Sequence, residues 1–401
     1  EEIEVLSLGA PAEYCNLTGA VFNVVTRQGS NAFHGDANFY YQNQDLASSN
    51  TTDAEDDGLP YNRDKYNDMT LQLSGPILKD KLWFFGSYQY QRDYASQPGT
   101  EPQFPSRFEA DRVFGKLNWQ VNAKHKLMLA YHDDYYRIPG TQTSVTEPST
   151  ITDENGHNPA TNLTYTGILS EKTYIEARVA GFYGVDHGDP LQSGEPRVQP
   201  RFSDLDTGVI SGGIYSWYDG DSWKTGISAK VSHFADAFMG ASHDFKFGVQ
   251  YNEGGSNYIT GPNDYIYTYS GVPAYGYTQL PWHEGGKMRG IGFYADDTIR
   301  ATDRLTINAG VRYDYSKALF ESFPLLDRQG NPTGQTTPGN DNLFSWNSIS
   351  PRVGLNYRLT ADGKTVLKAH YGRYYRGIVT QAFDDVVPSV SPRYLFSGTY
   401  D

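Results

Sequence analysis

Apolar and polar residues alternate with period two along most of this chain. Between residues 303 and 315, one set is Leu305, Ile307, Ala309, Val311 and Tyr313, and the other is Thr306, Asn308, Gly310, Arg312 and Asp314. Segments 107–121, 172–185 and 242–253 repeat the pattern. Because side chains of a strand point alternately to opposite faces, the pattern predicts strands with one apolar and one polar face. The polar faces carry both charge signs, which a dry core would not tolerate, so we expect them to line water.

Thirteen such segments are predicted as strands. They are residues 32–44, 66–78, 81–93, 107–121, 124–137, 161–170, 172–185, 222–235, 242–253, 287–300, 303–315, 349–359 and 364–376. A truncated fourteenth strand is predicted at 393–399. Strands of soluble proteins average about five or six residues, whereas a strand tilted across a bilayer needs about nine to eleven. The length of these segments therefore favours strands that cross a membrane.

The connections between these segments alternate between short and long. The predicted long ones are 45–65, 94–106, 138–160, 186–221, 254–286, 316–348 and 377–393. Outer-membrane barrels join their strands by short periplasmic turns and long extracellular loops. The sequence therefore predicts an all-β fold, an antiparallel transmembrane β-barrel with every long loop at one end.

Composition narrows the function classes. The mean hydropathy is −0.60 and no run of about 18 apolar residues occurs, which excludes a transmembrane helix but not a barrel. The net charge of −14 without a basic stripe argues against nucleic acid as a partner. Aromatic residues make up 14 % of the chain, which suits aromatic girdles and tyrosine-rich loops. Cys15 is the single cysteine, so no disulfide can form within the chain.

Two runs of sequence resemble a known family. The first reads Ala12-Glu13-Tyr14-Cys15 and continues from Gly19 through Val24-Val25-Thr26 and Gly29-Ser30-Asn31 to Phe33-His34-Gly35. It resembles the plug-to-barrel junction of TonB-dependent outer-membrane receptors, above all the Oar-like group with a carboxypeptidase-regulatory-like domain. Cys15 stands where these receptors usually have glycine. The second run, from Leu73 to Tyr88, resembles the second hairpin of those barrels.

The resemblance implies an organisation and a function. Residues 1–31 would be the end of the plug domain with its linker, and 32–401 the first 13 or 14 strands of a barrel of about 22. Both ends look cut, so we expect a fragment of a Gram-negative outer-membrane transporter. Extracellular loops would capture a ligand, and the TonB energy-transducing protein, acting through the N-terminal part, would move the plug. The expected partners are that protein, outer-membrane lipid and the ligand, which could be a glycan, a peptide, another large nutrient or a siderophore.

Two groups of residues are candidates for this function. Aromatic residues of the 254–286 loop offer flat contact area for a ligand: Tyr258, Tyr265, Tyr267, Tyr269, Tyr275, Tyr277 and Trp282. Charged residues on the polar faces are candidates for contacts with the plug in the lumen: Asp36, Arg112, Arg178, Arg312 and Arg352. Packing between neighbouring loops is the alternative role of the aromatic group.

Catalytic signatures are not found. The chain contains no HExxH, GxSxG or P-loop motif, so we expect neither an enzyme nor a cofactor. Asp53, Glu55, Asp57 and Asp64 partly imitate the spacing of a calcium loop, but Pro60 and the missing flanking helices favour a solvated acidic loop instead.

Two other functions stay open on the sequence alone. A passive outer-membrane pore or surface adhesin would share the barrel but lack a plug. A soluble secreted carbohydrate-binding β protein would have shorter strands and no regular alternation of loop lengths.

Overall fold

The fold is almost entirely β. A computed structural model describes residues 2–6, 9–15, 19–48, 50–375, 377, 383, 389 and 392–397. Its strands are β1 (Glu2–Leu6), β2 (Val21–Val25), β3 (His34–Gln42), β4 (Asn62–Leu78), β5 (Leu82–Ser96), β6 (Ser106–Asn122), β7 (His125–Pro139), β8 (Thr152–His157), β9 (Ala160–Ser170), β10 (Thr173–Pro190), β11 (Arg201–Asp204), β12 (Ile210–Gly212), β13 (Ser216–Phe238), β14 (Ala241–Pro262), β15 (Tyr265–Tyr269), β16 (Val272–Thr278), β17 (Trp282–Arg300), β18 (Leu305–Phe320), β19 (Pro324–Leu326), β20 (Pro332–Thr336), β21 (Asn340–Arg358), β22 (Val366–Gly372) and β23 (Tyr394–Ser397). The helical pieces are α1 (Asp53–Asp56) and two 3₁₀ turns, Gln44–Leu46 and Pro148–Thr150.

Fourteen strands form one antiparallel sheet that follows the chain order from β3 to β22. Strands β8 and β9 share one position, because both pair with β7 and with β10. The sheet therefore has thirteen positions, and each corresponds to one of the thirteen predicted segments, which confirms the predicted fold class. Within the described residues, the edge strands β3 and β22 pair only with β4 and β21.

The two faces of this sheet have opposite character. Phe247, Phe293 and Val353 lie on one face and are about half exposed. Arg312 and Arg352 lie on the other face and are 1 % and 4 % exposed. In a soluble protein the apolar face of a sheet is buried and the polar face is exposed, so the exposure of the two faces is reversed here. The arrangement fits a wall whose apolar face meets lipid while its polar face lines a lumen. No helix in the described part of the chain is long and apolar enough to span a membrane.

Short and long connections alternate as predicted. The 14-stranded sheet turns tightly after β4, β6, β9, β13, β17 and β21, and all these turns lie at one end. At the β13–β14 turn, Met239 and Gly240 both have positive φ, which matches the twist of the flanking strands. On the outward face, Asp133, Glu253 and Arg289 are the first charged residues beyond the apolar band toward the long loops. We take this level as the outer limit of the membrane-spanning part.

The long loops carry more structure than the sequence predicted. Strand β13 has 23 residues, β14 has 22, and both β17 and β21 have 19, so much of the predicted loops is a continuation of the wall. Stretches such as 254–262, which mix apolar, polar and glycine residues without regular alternation, do not predict a strand by themselves. They extend because the neighbouring strands supply backbone hydrogen-bond partners along their whole length.

The predicted fourteenth barrel strand is corrected. Residues 394–397 form β23, which pairs with β16 in a separate five-stranded sheet of the outer loops, ordered β12-β11-β15-β16-β23. Residues 398–399 of that prediction, and residue 376 of the thirteenth, lie outside the described residues. Four residues are too few to cross a bilayer, whereas they suffice to extend a loop sheet.

Tyrosine rings lie over glycines along the polar face. Tyr136, Tyr218, Tyr258 and Tyr294 are paired directly across the sheet with Gly156, Gly188, Gly220 and Gly248. A Cβ atom built on any of these four glycines would meet the ring of its partner. Each glycine therefore leaves room for the neighbouring ring to lie against the wall.

Candidate functional site

A short stretch near the N-terminus lies against the lumen face of the sheet. Strands β1 and β2 pair only with each other among the described residues, and residues 9–14 lie between them in sequence. We call residues 9–14 the docked segment. Its centre is inaccessible, with Ala10 3 % exposed and Ala12 fully buried. Backbone polar groups buried in this way require partners, and the wall supplies them.

Asp296 on β17 binds the backbone of the docked segment. Its carboxylate accepts hydrogen bonds from the backbone N–H of Ala12 at 2.8 Å and of Glu13 at 3.1 Å. Gly310 lies directly across from Asp296 on β18. A Cβ atom at Gly310 would collide with the Asp296 carboxylate and lie 3.2 Å from the Cβ of Ala12. The glycine is therefore required for this close approach.

Two arginines bind the carbonyl groups of the same segment. Arg352 donates from Nη1 to the carbonyl oxygens of Ala10 (3.0 Å) and Pro11, and from Nη2 to that of Tyr14 at 2.8 Å. Arg312 donates to the carbonyl oxygen of Ala12 at 3.3 Å. These charged donors to buried carbonyls are stronger than neutral ones.

The orientation of the two guanidinium groups is fixed by neighbouring side chains. Arg312 is held by Asp314, whose carboxylate accepts from its Nε at 2.8 and 2.9 Å. The ring of Tyr374 stacks on the guanidinium of Arg352 at 4.5 Å. These neighbours therefore orient both guanidinium groups toward the docked segment.

The side chain of Glu13 lies between two lysines. Its carboxylate is 3.4 Å from Nζ of Lys230 and 3.8 Å from Nζ of Lys246. Gln250 donates to the Glu13 carbonyl oxygen at 3.0 Å. We call the wall residues that touch the docked segment the lumen socket: Lys230, Lys246, Gln250, Asp296, Arg312 and Arg352.

Two of the five predicted lumen residues contact the docked segment, and three have other partners. Arg312 and Arg352 contact the docked segment. Asp36 lies 3.5 Å from Arg27, Arg112 lies 3.2 Å from Asp134, and Arg178 donates to Asn162 at 3.0 Å. These last three make their recorded contacts outside the docked segment.

Four members of the lumen socket were missed by the sequence reasoning: Lys230, Lys246, Gln250 and Asp296. Alternation places each of them on the polar face, but it places many other residues there as well. Only the fold reveals which of them face the docked segment.

The outer loops contain a second site, a cleft lined by tyrosines. We call it the tyrosine cleft and define it by Arg201, Tyr215, Tyr265, Tyr267, Tyr277 and Arg393, which line a cavity of about 460 Å³. Ring centroids lie 4.9 Å apart for Tyr265 and Tyr267, and 5.7 Å for Tyr215 and Tyr265. Arg201 lies 6.0 Å over the Tyr265 ring and Arg393 lies 5.9 Å over that of Tyr277.

The seven predicted aromatic residues do not form one loop. Tyr265, Tyr267, Tyr275 and Tyr277 come together on one face of the β15–β16 hairpin. Tyr269 lies at the hairpin tip and is 51 % exposed. Tyr258 lies on β14 facing the lumen, and Trp282 begins β17 and donates to Glu284. The prediction that all seven share a loop is therefore wrong, because two of them belong to extended wall strands.

Tyr258 belongs to a row of side chains across the wall, between the cleft and the lumen socket. Asp186 lies in the same row between Gly156 and Gly220, so its carboxyl group is flanked by the rings of Tyr136 and Tyr258. Tyr136 donates to Asp186 at 2.9 Å. Burial raises the pKa of Asp186, and burial together with this hydrogen bond raises the pKa of Tyr136. The carboxyl group therefore holds its proton more tightly than a solvated aspartate does.

The four calcium candidates do not come together as a metal site. Asp53 and Glu55 lie in α1, where the Glu55 carboxylate accepts from the backbone and hydroxyl of Thr52, and Asp64 lies on β4. No group of three or more metal-ligating side chains occurs in the described ranges.

Comparison with known proteins identifies the class. The family described as outer membrane beta barrel domain matches residues 25–109 and 99–400. Since this match covers most of the chain, the protein belongs to that family and resides in the bacterial outer membrane.

Individual relatives narrow the class further. The chain is 22 % identical over 494 residues to the TonB-dependent transporter Oar of Myxococcus xanthus, covering 97 % of this chain and 45 % of Oar. The structure is similar to the outer membrane transporter YddB of Escherichia coli (TM-score 0.68, 14 % identity, 93 % of this chain and 47 % of YddB). It is also similar to the ferric-catecholate import receptor Fiu of E. coli K12 (TM-score 0.62, 12 % identity, 94 % of this chain and 60 % of Fiu). The resemblance to TonB-dependent receptors is thus confirmed, and the chain spans about half the length of the curated relative.

Proposed function

We propose that this chain is part of a TonB-dependent outer-membrane transporter that captures a ligand with its outer loops and imports it when the plug moves. In this proposal residues 1–31 are the end of the plug and 32–401 belong to the barrel. The observation that carries the proposal is the docked segment, which is held against the lumen face by side chains from five wall strands, β13, β14, β17, β18 and β21. A passive pore would have no use for such a segment.

The chemistry of the lumen socket suits a contact that is made and broken. All of its recorded bonds to the docked segment are hydrogen bonds and ion pairs, and each of these can be replaced by water when the segment leaves. An apolar interface would instead expose apolar area on both sides when the segment leaves. We infer that the TonB protein, acting through the N-terminal part of the whole protein, pulls this segment from the wall. No covalent step is needed, which fits a transporter and not an enzyme.

Cys15 provides a direct test. It follows the docked segment and borders a lumen cavity of about 760 Å³. The whole protein, in the outer membrane of its own host, would be exposed to a membrane-impermeant maleimide with and without a protonophore, and in a strain lacking TonB. We expect faster labelling of Cys15 in energised cells that contain TonB.

The control is Cys15→Ser combined with Tyr269→Cys at the exposed hairpin tip, whose labelling should not depend on energy. Equal labelling of Cys15 in all strains, together with a steady conductance of the purified protein in lipid bilayers, would favour the passive pore.

A further inference from the structure

The charges that line the tyrosine cleft are unusual for this chain. The protein has a net charge of −14, yet the described lining of the cleft includes two arginines and no aspartate or glutamate. Two carboxylates near its residues in sequence are engaged elsewhere. Asp264 pairs with Arg328 at 2.5 Å, and Asp204 accepts from Gly271 and Thr268. The guanidinium groups of the cleft are therefore left without a carboxylate partner in the part of the chain that the structure describes.

Arg201 is held in place by the protein backbone. Its Nη1 donates to the carbonyl oxygens of Thr150 at 2.8 Å and Gly213 at 3.3 Å. Its Nε is buried and has no hydrogen-bond partner among the described atoms. A cation that is fixed by neutral acceptors keeps its full charge for a ligand, and pre-organisation lowers the cost of binding.

The two arginines stand on either side of the tyrosine rings. Arg201, Tyr265 and Tyr277 are direct neighbours across β11, β15 and β16, and Arg393 comes just before β23 on the same face. Three strand spacings separate the outer strands, or about 14 Å. A single small anion could reach one guanidinium at a time, whereas a longer ligand with several anionic groups could reach both.

The cleft is lined mainly by tyrosine side chains. Ligand strands are usually bound at the edge of a sheet, whereas this cleft lies on its face. Flat tyrosine rings suit stacking against the apolar face of a sugar ring, and guanidinium groups suit bidentate bonds to carboxylates.

The lumen cavity has the same charge character. Its described lining includes Lys116, Arg178 and Lys224 and no aspartate or glutamate. A ligand that left the cleft for this cavity would again meet cations.

We propose that the tyrosine cleft binds an acidic oligosaccharide whose sugar rings carry carboxylates, as in a uronic acid oligomer. Sugar rings would stack on Tyr265 and Tyr277, and carboxylates of separate rings would pair with Arg201 and Arg393. This inference rests on the proposed capture of a ligand by the outer loops and names its chemical class.

Binding to the purified whole protein in detergent tests the proposal without any energy source. The probes are an oligomer of galacturonic acid, a neutral oligomer of galactose of the same length, and an acidic peptide. We expect the galacturonate oligomer to bind best and its affinity to fall as salt is added. Arg393→Gln should weaken it about tenfold, the loss of one charged hydrogen-bonding partner.

The choice of variants makes the result decisive. Arg201→Gln removes bonds that also hold the loops, so Arg393→Gln, which removes no recorded backbone bond, is the primary test. Arg289→Gln is the matched control, because Arg289 lies outside the cleft and pairs with Glu253 at 2.7 Å. It should leave binding unchanged.

Equal binding of the neutral oligomer, preference for the acidic peptide, or no binding of any probe would each overturn the proposal. Because Cys15 labelling measures plug movement independently, such a failure is distinguishable from failure of the proposed transport function.

Discussion

The lumen socket and the tyrosine cleft both contain arginines, but the surroundings of those arginines differ. In the lumen socket, Arg312 and Arg352 donate to carbonyl groups of the docked segment. In the tyrosine cleft, Arg201 and Arg393 lie over aromatic rings and face a cavity. The first site is filled by a segment of the same chain, whereas the second borders a cavity of about 460 Å³. The same residue type therefore holds a segment of the chain in one site and lines a cavity in the other.

The largest effect is expected for Arg352→Met. The change leaves the buried carbonyl group of Ala10 and the partly buried ones of Pro11 and Tyr14 without their charged donor, which should weaken docking by about 3 kcal/mol. Labelling of the partly buried Cys15 in cells without energy should then rise at least several-fold, since release of the segment exposes the thiol more often. The matched control is Arg112→Met, because within the described residues the partners of Arg112 are wall residues such as Gln89 and Gln91. Equal labelling of the two variants would show that the segment is held by something else.

The second-largest effect is expected for a variant in the tyrosine cleft, which tests whether the cleft and the lumen socket are independent. Tyr267→Ala removes a ring that lies 4.6 Å from Tyr275, 4.9 Å from Tyr265 and 6.3 Å from Tyr277. Loss of these contacts should cost the hairpin about 2 kcal/mol. We expect faster cleavage of residues 265–278 by external protease and unchanged labelling of Cys15. Tyr269→Ala at the exposed tip should behave like the parent protein, and a change in Cys15 labelling would mean that the sites are coupled.

A smaller effect is expected for Gly310→Ala. The added methyl group would displace the Asp296 carboxylate from the backbone of Ala12 and Glu13. The docked segment can shift to make room, so we expect a loss near the low end for overpacking, about 1 kcal/mol. Cys15 labelling should rise several-fold. Gly115→Ala is the control, since a Cβ atom there would meet nothing within 4 Å.

The smallest effect concerns the row between the two sites and depends on pH. Because the pKa of Asp186 is raised in the folded protein, its ionised form is disfavoured, and this penalty grows as the pH rises through the folded pKa. Asp186→Asn keeps an acceptor for Tyr136 and removes the penalty. Hydrogen exchange, corrected for intrinsic rates, should show greater protection of β10 in the variant at pH 7 and no difference near pH 3. If the variant exceeded the parent protein in β10 protection more near pH 3 than at pH 7, that result would contradict the assignment.

The wall could be predicted from the sequence, and the sites only in part. Period-two alternation and loop lengths located all thirteen positions of the sheet, because lipid on one side and water on the other impose the pattern residue by residue. They could not predict β23 in the outer loops, since four residues carry no such pattern. Arg312 and Arg352 were found as inward charges, but Asp296 and Gly310 were not. Their importance comes from lying opposite each other on β17 and β18, a register that no local pattern reveals.

The tyrosine–glycine pairs along the wall have a consequence for the width of the passage. A ring that lies over a glycine stays close to the backbone of the wall, whereas a ring displaced by a methyl group would project into the lumen. Gly188 and Gly220 therefore keep the rings of Tyr218 and Tyr258 close to the wall on the lumen side. A side chain at either glycine would push a ring away from the wall into the lumen, and so would change the space along the wall without altering a single charge.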